Sequence, residues 1–140
     1  MSGLVSIRPF FRTKLLSLGL SEWTDAFNVE NIPSTMLDRR FHIETPTGSR
    51  RGAYDQNHQE LEQDVIIRIF LKGYRDPASA VDSSLGWLDS VMSAVLPVSA
   101  RAGASIKNIY INRWSINPIA GSNDNALVLE ITFNCFIIFA

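Results

Sequence analysis

One cysteine, Cys135, stands in 140 residues, so a disulfide framework and a thiolate metal cluster are both excluded. It falls within an apolar alternation, where a lone thiol acts as a small buried hydrophobe. No run reaches the roughly 18 apolar residues that a membrane-spanning helix needs. Residues 1–20 carry Arg8, Arg12 and Lys14 among their apolar positions and so lack the unbroken core of a signal peptide. Charge of one sign is missing too: 13 basic against 14 acidic residues leave a formal net charge of -1. That balance offers no global attraction to nucleic acid or to an anionic membrane. Nothing here speaks against a reducing compartment, and the expectation is a soluble protein made and kept inside a cell, or packaged into a particle that assembles there.

Catalytic constellations are equally scarce. His58, Glu60, Glu62 and Asp64 cluster, and His-x-Glu is how a zinc deaminase signature begins, but that signature requires two further cysteines. A solvated segment running into a strand accounts for the same residues. His42 beside Glu44 reads as a surface or interface residue on the polar side of a strand. Gly48 and Gly52 bracket Arg50 and Arg51, yet no Gly-Lys-Ser/Thr follows, as a phosphate loop demands. No serine occupies a Gly-x-Ser-x-Gly elbow. The residues therefore predict no enzyme, no metal and no cofactor.

What is present suits one folded domain, residues 1–140. A hydrophobic fraction of 46% supplies a core, and a chain of this size buries about two-thirds of its unfolded surface. The dominant stretch is 126–140, where Leu127, Leu129, Ile131, Phe133, Cys135, Ile137 and Phe139 alternate with Val128, Glu130, Thr132, Asn134, Phe136 and Ile138. Period-two alternation predicts one long strand. Its last third is apolar on both faces and needs cover on both.

Taken in order, Ser6 can cap a short helix with Pro9 in its first turn and Gly19 at its end. Trp23 and Phe27 suit one or two further helical turns over 21–28, which the run Asn31-Ile32-Pro33-Ser34 breaks. Residues 36–45 predict a half-buried strand carrying Phe41 and Ile43. Segment 47–60 is too polar for an element and predicts a long mobile loop, a length that in compact domains tends to be functional. Strands are expected over 63–74 and 106–116, the second with Trp114 and Ile116 on the side opposite Ile109 and Ile111. Between them 77–96 places Val81, Leu85, Leu88, Met92 and Val95 at helical spacing behind an Asp76-Pro77 start. The turn formers of 117–125 join the last two strands as a hairpin. The fold expected is α+β in two layers: a four-stranded, mainly antiparallel sheet, one long amphipathic helix packed on it and a short N-terminal helix.

Ten of the 13 basic residues are arginine, and Arg39, Arg40, Arg50 and Arg51 gather around the first strand and its loop. Arginine suits planar contact with carboxylate or phosphate, so a docking rim and a contact with passing DNA are both open, beside a plain solvated loop. Phe136, Ile138, Trp114 and Ile116 are candidates for a second apolar face, the alternative being cover by the N-terminal helix.

The order of elements, together with Asn31-Ile32-Pro33-Ser34 leading into Leu37-Asp38-Arg39-Arg40-Phe41-His42-Ile43, the polar segment, Gly73-Tyr74-Arg75-Asp76-Pro77 and the closing hairpin, resembles the tail terminator family of long-tailed bacteriophages. The resemblance implies a virion protein assembled in the host cytoplasm, at the head-proximal end of the tail. It implies a homo-hexameric ring that binds the last ring of tail tube protein, stops polymerisation and receives the head-side connector protein, with DNA passing through. A head-completion or connector subunit, and a small nucleic-acid-binding module using the four arginines, are the alternatives.

Overall fold

The computed structural model describes residues 3–23, 38–55, 58–72, 77–101, 105–119 and 126–139. Phe27, the 31–34 break, the Asp76 start and the 120–125 part of the hairpin loop lie outside them. In chain order the elements are α1 (Gly3–Ser17), β1 (Ser21–Glu22), β2 (Arg40–Glu44), β3 (Gly48–Asp55), β4 (His58–Leu71), α2 (Pro77–Val95), a 3-10 turn (Val98–Arg101), β5 (Ile106–Pro118) and β6 (Leu127–Phe139).

Six strands, rather than the expected four, form one sheet in the order β1-β2-β4-β6-β5, with β3 also paired to β4. The sheet is mixed, because β1 runs parallel to β2 while every other pairing is antiparallel. Among the described residues two helices cover it, and α1 is a full 15 residues with Pro9 inside it. The proline removes one helical hydrogen bond, to the carbonyl of Val5, at a position 61% exposed. Gly19 ends α1 as expected: at φ 87° it lets the Leu20 and Gly19 amides reach back to the Leu15 and Leu16 carbonyls. In place of the expected helical turns, Ser21 and Glu22 pair with Arg40 and Phe41.

The expected mobile loop is largely strand. β3 pairs with the first part of β4 from Gly48↔Gln63 to Asp55↔His58, continuing the pairing of β2 from Arg40↔Phe70 to Glu44↔Ile66. Thus β2 and β3 form one interrupted arm of a long hairpin, broken at Thr45-Pro46-Thr47 and bulged at 51 and 54. β4 then pairs with β6 along its length, from Gln59↔Phe139 to Leu71↔Leu127. A polar segment becomes strand because its backbone bonds are completed by a neighbour already held on its other edge, and strand preference depends on such context.

Both helices pack on one face. Phe41, Val65, Ile67, Ile69, Leu129, Ile131, Phe133 and Ile137 are buried there under Ile7, Phe11 and Leu15 of α1 and Leu88, Val91 and Val95 of α2. The Phe11 and Phe133 ring centroids lie 5.4 Å apart. On α2 the buried stripe runs Ala80, Ser84, Leu88, Val91 and Val95, so Val81 and Leu85 of the expected stripe stay exposed. The small residues allow close approach, and Ser84 satisfies its hydroxyl by donating to the Ala80 carbonyl at 2.9 Å.

Candidate interaction surface

Opposed residues of an antiparallel pair point to the same side, so the register assigns each side chain to a face. The face that no described helix covers carries Asn134 beside Asp64 and Tyr110, Thr132 beside Ile66 and Arg113, and Glu130 beside Arg68 and Ser115. Its character changes along the strands. Toward the start of β4 it is aromatic and aliphatic: Tyr110 and Phe136 rings lie 5.1 Å apart, and Ile138 follows, 37% exposed. Lys107 donates to Glu60 at 2.8 Å, an ion pair that borders Ile138, which itself pairs with Glu60.

The middle of the face is an ion network. Arg68 lies 2.6 Å from Glu44 and 3.1 Å from Glu130, spanning β2, β4 and β6. Burial works to lower the Arg68 pKa, but the hydrogen bonds and charges of Glu44 and Glu130 outweigh it, and the guanidinium is held above its ordinary value. His42 stands 3.8 Å from Glu44 and faces the Trp23 carbonyl through Nδ1 at 3.2 Å. Asn134 donates to Asp64 at 2.9 Å, extending the polar belt. Beyond the network Phe70, Ile119 and Ala126 make a small separate apolar cluster with Trp23 and Val128.

The residues singled out from sequence divide between places. Phe136 and Ile138 lie on the open face. Trp114 and Ile116 do not: they oppose Ile131 and Leu129, whose side chains are in the core, so they belong to the helix side at the β5 edge. The bulge between Ile111 and Arg113 inserts Asn112 and inverts the alternation that had put them on the second face. Trp114 remains 48% exposed there, while Ile116 packs against the core.

The arginines are not one patch. Arg40 opposes Phe70 and Arg50 opposes Leu61, nine positions apart on β4 and hence roughly 30 Å at ~3.3 Å per residue. Arg39 forms a turn with Asp38 at φ 60°, its amide donating to the Phe70 carbonyl at 2.8 Å and its side chain in solvent. Arg50 opposes Leu61 on the helix side of the sheet, beside a groove of about 340 Å³ that Leu4 and Gln63 also line. Arg51 lies at the β3 bulge.

The residues tested for chemistry are spread by strand geometry. Glu60, Glu62 and Asp64 fall at alternate positions of β4 and oppose Ile138, Phe136 and Asn134. Among the described residues no three His, Cys, Asp or Glu side chains converge as a metal site would require. Cys135 is fully buried; burial first and the Asp64 charge second push its thiol up to about 12, against an opposing pull from Arg101. Such a thiol is protonated and inert at neutral pH. No described helix is long and apolar enough to cross a membrane.

Sequence reasoning missed β5 as a sheet edge. It is 13 residues long, with one side paired to β6 and the other outermost in the sheet. A free edge is a template for another strand unless blunted, and Lys107, Arg113, Pro118 and two bulges blunt this one.

No family model matches the chain, and no curated protein matches it. Among solved structures, one similar chain belongs to the "Virion of native gene transfer agent (GTA) particle"; it is 12% identical, with a TM-score of 0.44, and the match covers 69% of this chain and 68% of that one.

Proposed function

We propose that this chain is a structural subunit of a phage-like virion, and within it a tail terminator: a ring-forming protein that caps the tail tube and ends its polymerisation. The observation that carries the reading is the one-sided cover of the sheet. Among the described residues both helices lie on one face, while the other ends in the exposed Tyr110 and Ile138 and the half-buried Phe136, beside the Arg68 ion network. A face whose charged groups are held by partners within the chain and which is apolar at one end suits docking of another protein better than binding of a charged ligand. The sequence resemblance supplies the identity of the assembly, with tail tube protein on one side of the ring, the head-side connector protein on the other and DNA passing through. On this reading the role is structural rather than catalytic.

The dispersal of Arg39, Arg40 and Arg50 favours docking contacts over one basic track for nucleic acid. Purified protein is expected to form closed rings by light scattering and negative-stain imaging, alone or with tube protein, and to limit tube length when added during polymerisation. A strictly monomeric species at high concentration, with no effect on tube length, would overturn the proposal.

A further inference from the structure

The ring reading leaves open which surfaces join one subunit to the next, and the helix layer carries two of opposite chemistry. Helix α1 holds Arg8, Arg12 and Lys14 and no carboxylate, whereas α2 holds Asp82 and Asp89 and no cation. Each is also greasier outside than a solvated helix needs to be: Leu4 is 44% and Val5 61% exposed on α1, and Val81 44% and Leu85 37% on α2. The two helices touch and both pack on β5 and β6, while α1 extends further over β1 and β2, and Arg8 borders Glu22 and Ile43 on that side.

We infer that α1 of one copy docks on α2 of the next, basic and apolar against acidic and apolar. The inference rests on the ring reading and assigns its subunit interface. Within the chain Arg12 is held by Glu22 at 2.6 Å, and the Lys14 ammonium lies 5.8 Å from the centre of the Phe10 ring. Arg8 is the exposed cation left to meet a neighbour. Asp82 and Asp89 are exposed and have no ion-pair partner among the described residues. A two-fold dimer through either helix would set like charge against like. A head-to-tail contact pairs opposite charges at every junction and, with the right rotation, closes. Such complementarity also suppresses the wrong register.

The test exploits that polarity. Arg8→Glu makes the α1 patch acidic, and Asp82→Arg with Asp89→Arg makes the α2 patch basic, so each variant alone presents like charges at every junction. Each is expected to weaken self-association about 10- to 100-fold by light scattering, with circular dichroism and thermal melting unchanged. An equimolar mixture is expected to regain assembly, because an alternating ring restores opposite charges at both kinds of junction. Misfolding would not be rescued by mixing. Variants that assemble like the unmodified chain, or folded variants whose mixture stays dissociated, would overturn the interface while leaving the ring reading intact. An unmodified chain that stays monomeric, measured first, would instead remove the ring reading and this interface with it.

Discussion

The two faces of the sheet are built from alternate residues of the same strands, β4 and β6, and differ in what holds them. Val65, Ile67, Ile69, Leu129, Ile131 and Phe133 show no exposed surface and meet helices. One position away, Asp64, Ile66, Arg68, Glu130 and Asn134 are half-buried, with Arg68 paired to Glu130 and Asn134 bonded to Asp64. The first set commits the chain to one packing. The second holds its charged groups in pairs across strands and leaves Tyr110 and Ile138 exposed at one end. A subunit made to assemble needs both, since a face consumed by its own core has nothing left to offer a neighbour.

Substitution of neighbouring phenylalanines tests this division most severely. Phe133→Ala empties a fully buried site against Phe11 and is expected to cost about 3–5 kcal/mol in urea denaturation. Phe136→Ala on the open face is expected to cost about 1 kcal/mol or less. Equal costs would mean that the open face is already core.

Cys135 sharpens the same contrast through pH. Its pKa is raised in the fold to about 12 from an ordinary 9.0, so the folded state keeps a proton that the unfolded chain gives up. Its contribution is full below pH 9 and lost as pH rises toward 12, at up to about 1.4 kcal/mol per pH unit. The stability difference between the parent and Cys135→Ala is expected to change by that slope above pH 9, and to stay flat below it.

On the open face, Arg68→Ala leaves Glu44 and Glu130 without the cation between them and is expected to cost about 1–3 kcal/mol in the same denaturation. The smallest effect on the isolated subunit is expected from Ile138→Ser, within about 0.5 kcal/mol, while capping of tube protein, read as tube length, weakens. A variant that is both stable and fully able to limit tube length would show that Ile138 lies outside the docking surface.

Much of the scaffold could be read from spacing. Helix α2 begins at Pro77 and ends at Val95, where the sequence expects 77–96, and β6 fills nearly all of the expected terminal strand. Strong periodicity bounded by proline or glycine is a local property, and local properties survive folding. Segment 47–60 was not legible as β3 and the start of β4, since an edge strand in solvent needs no apolar alternation. Trp114 and Ile116 were assigned to the wrong face because a single inserted residue, Asn112, leaves no mark in composition. Val81 and Leu85 fit the helical stripe by size and spacing yet stay outside, because the smaller Ala80 and Ser84 permit closer approach to the sheet.

By itself, then, the sequence determined the positions of α2 and β6, the Gly19 helix end and the burial of Cys135. Those depend on residue type and near-neighbour spacing. Only the tertiary structure decided that the described residues form six strands, that Arg40 and Arg50 lie far apart on opposite faces, and which apolar side chains remain outside. Each of these depends on pairing between residues far apart in the chain, where one bulge or one completed row of backbone hydrogen bonds outweighs local preference.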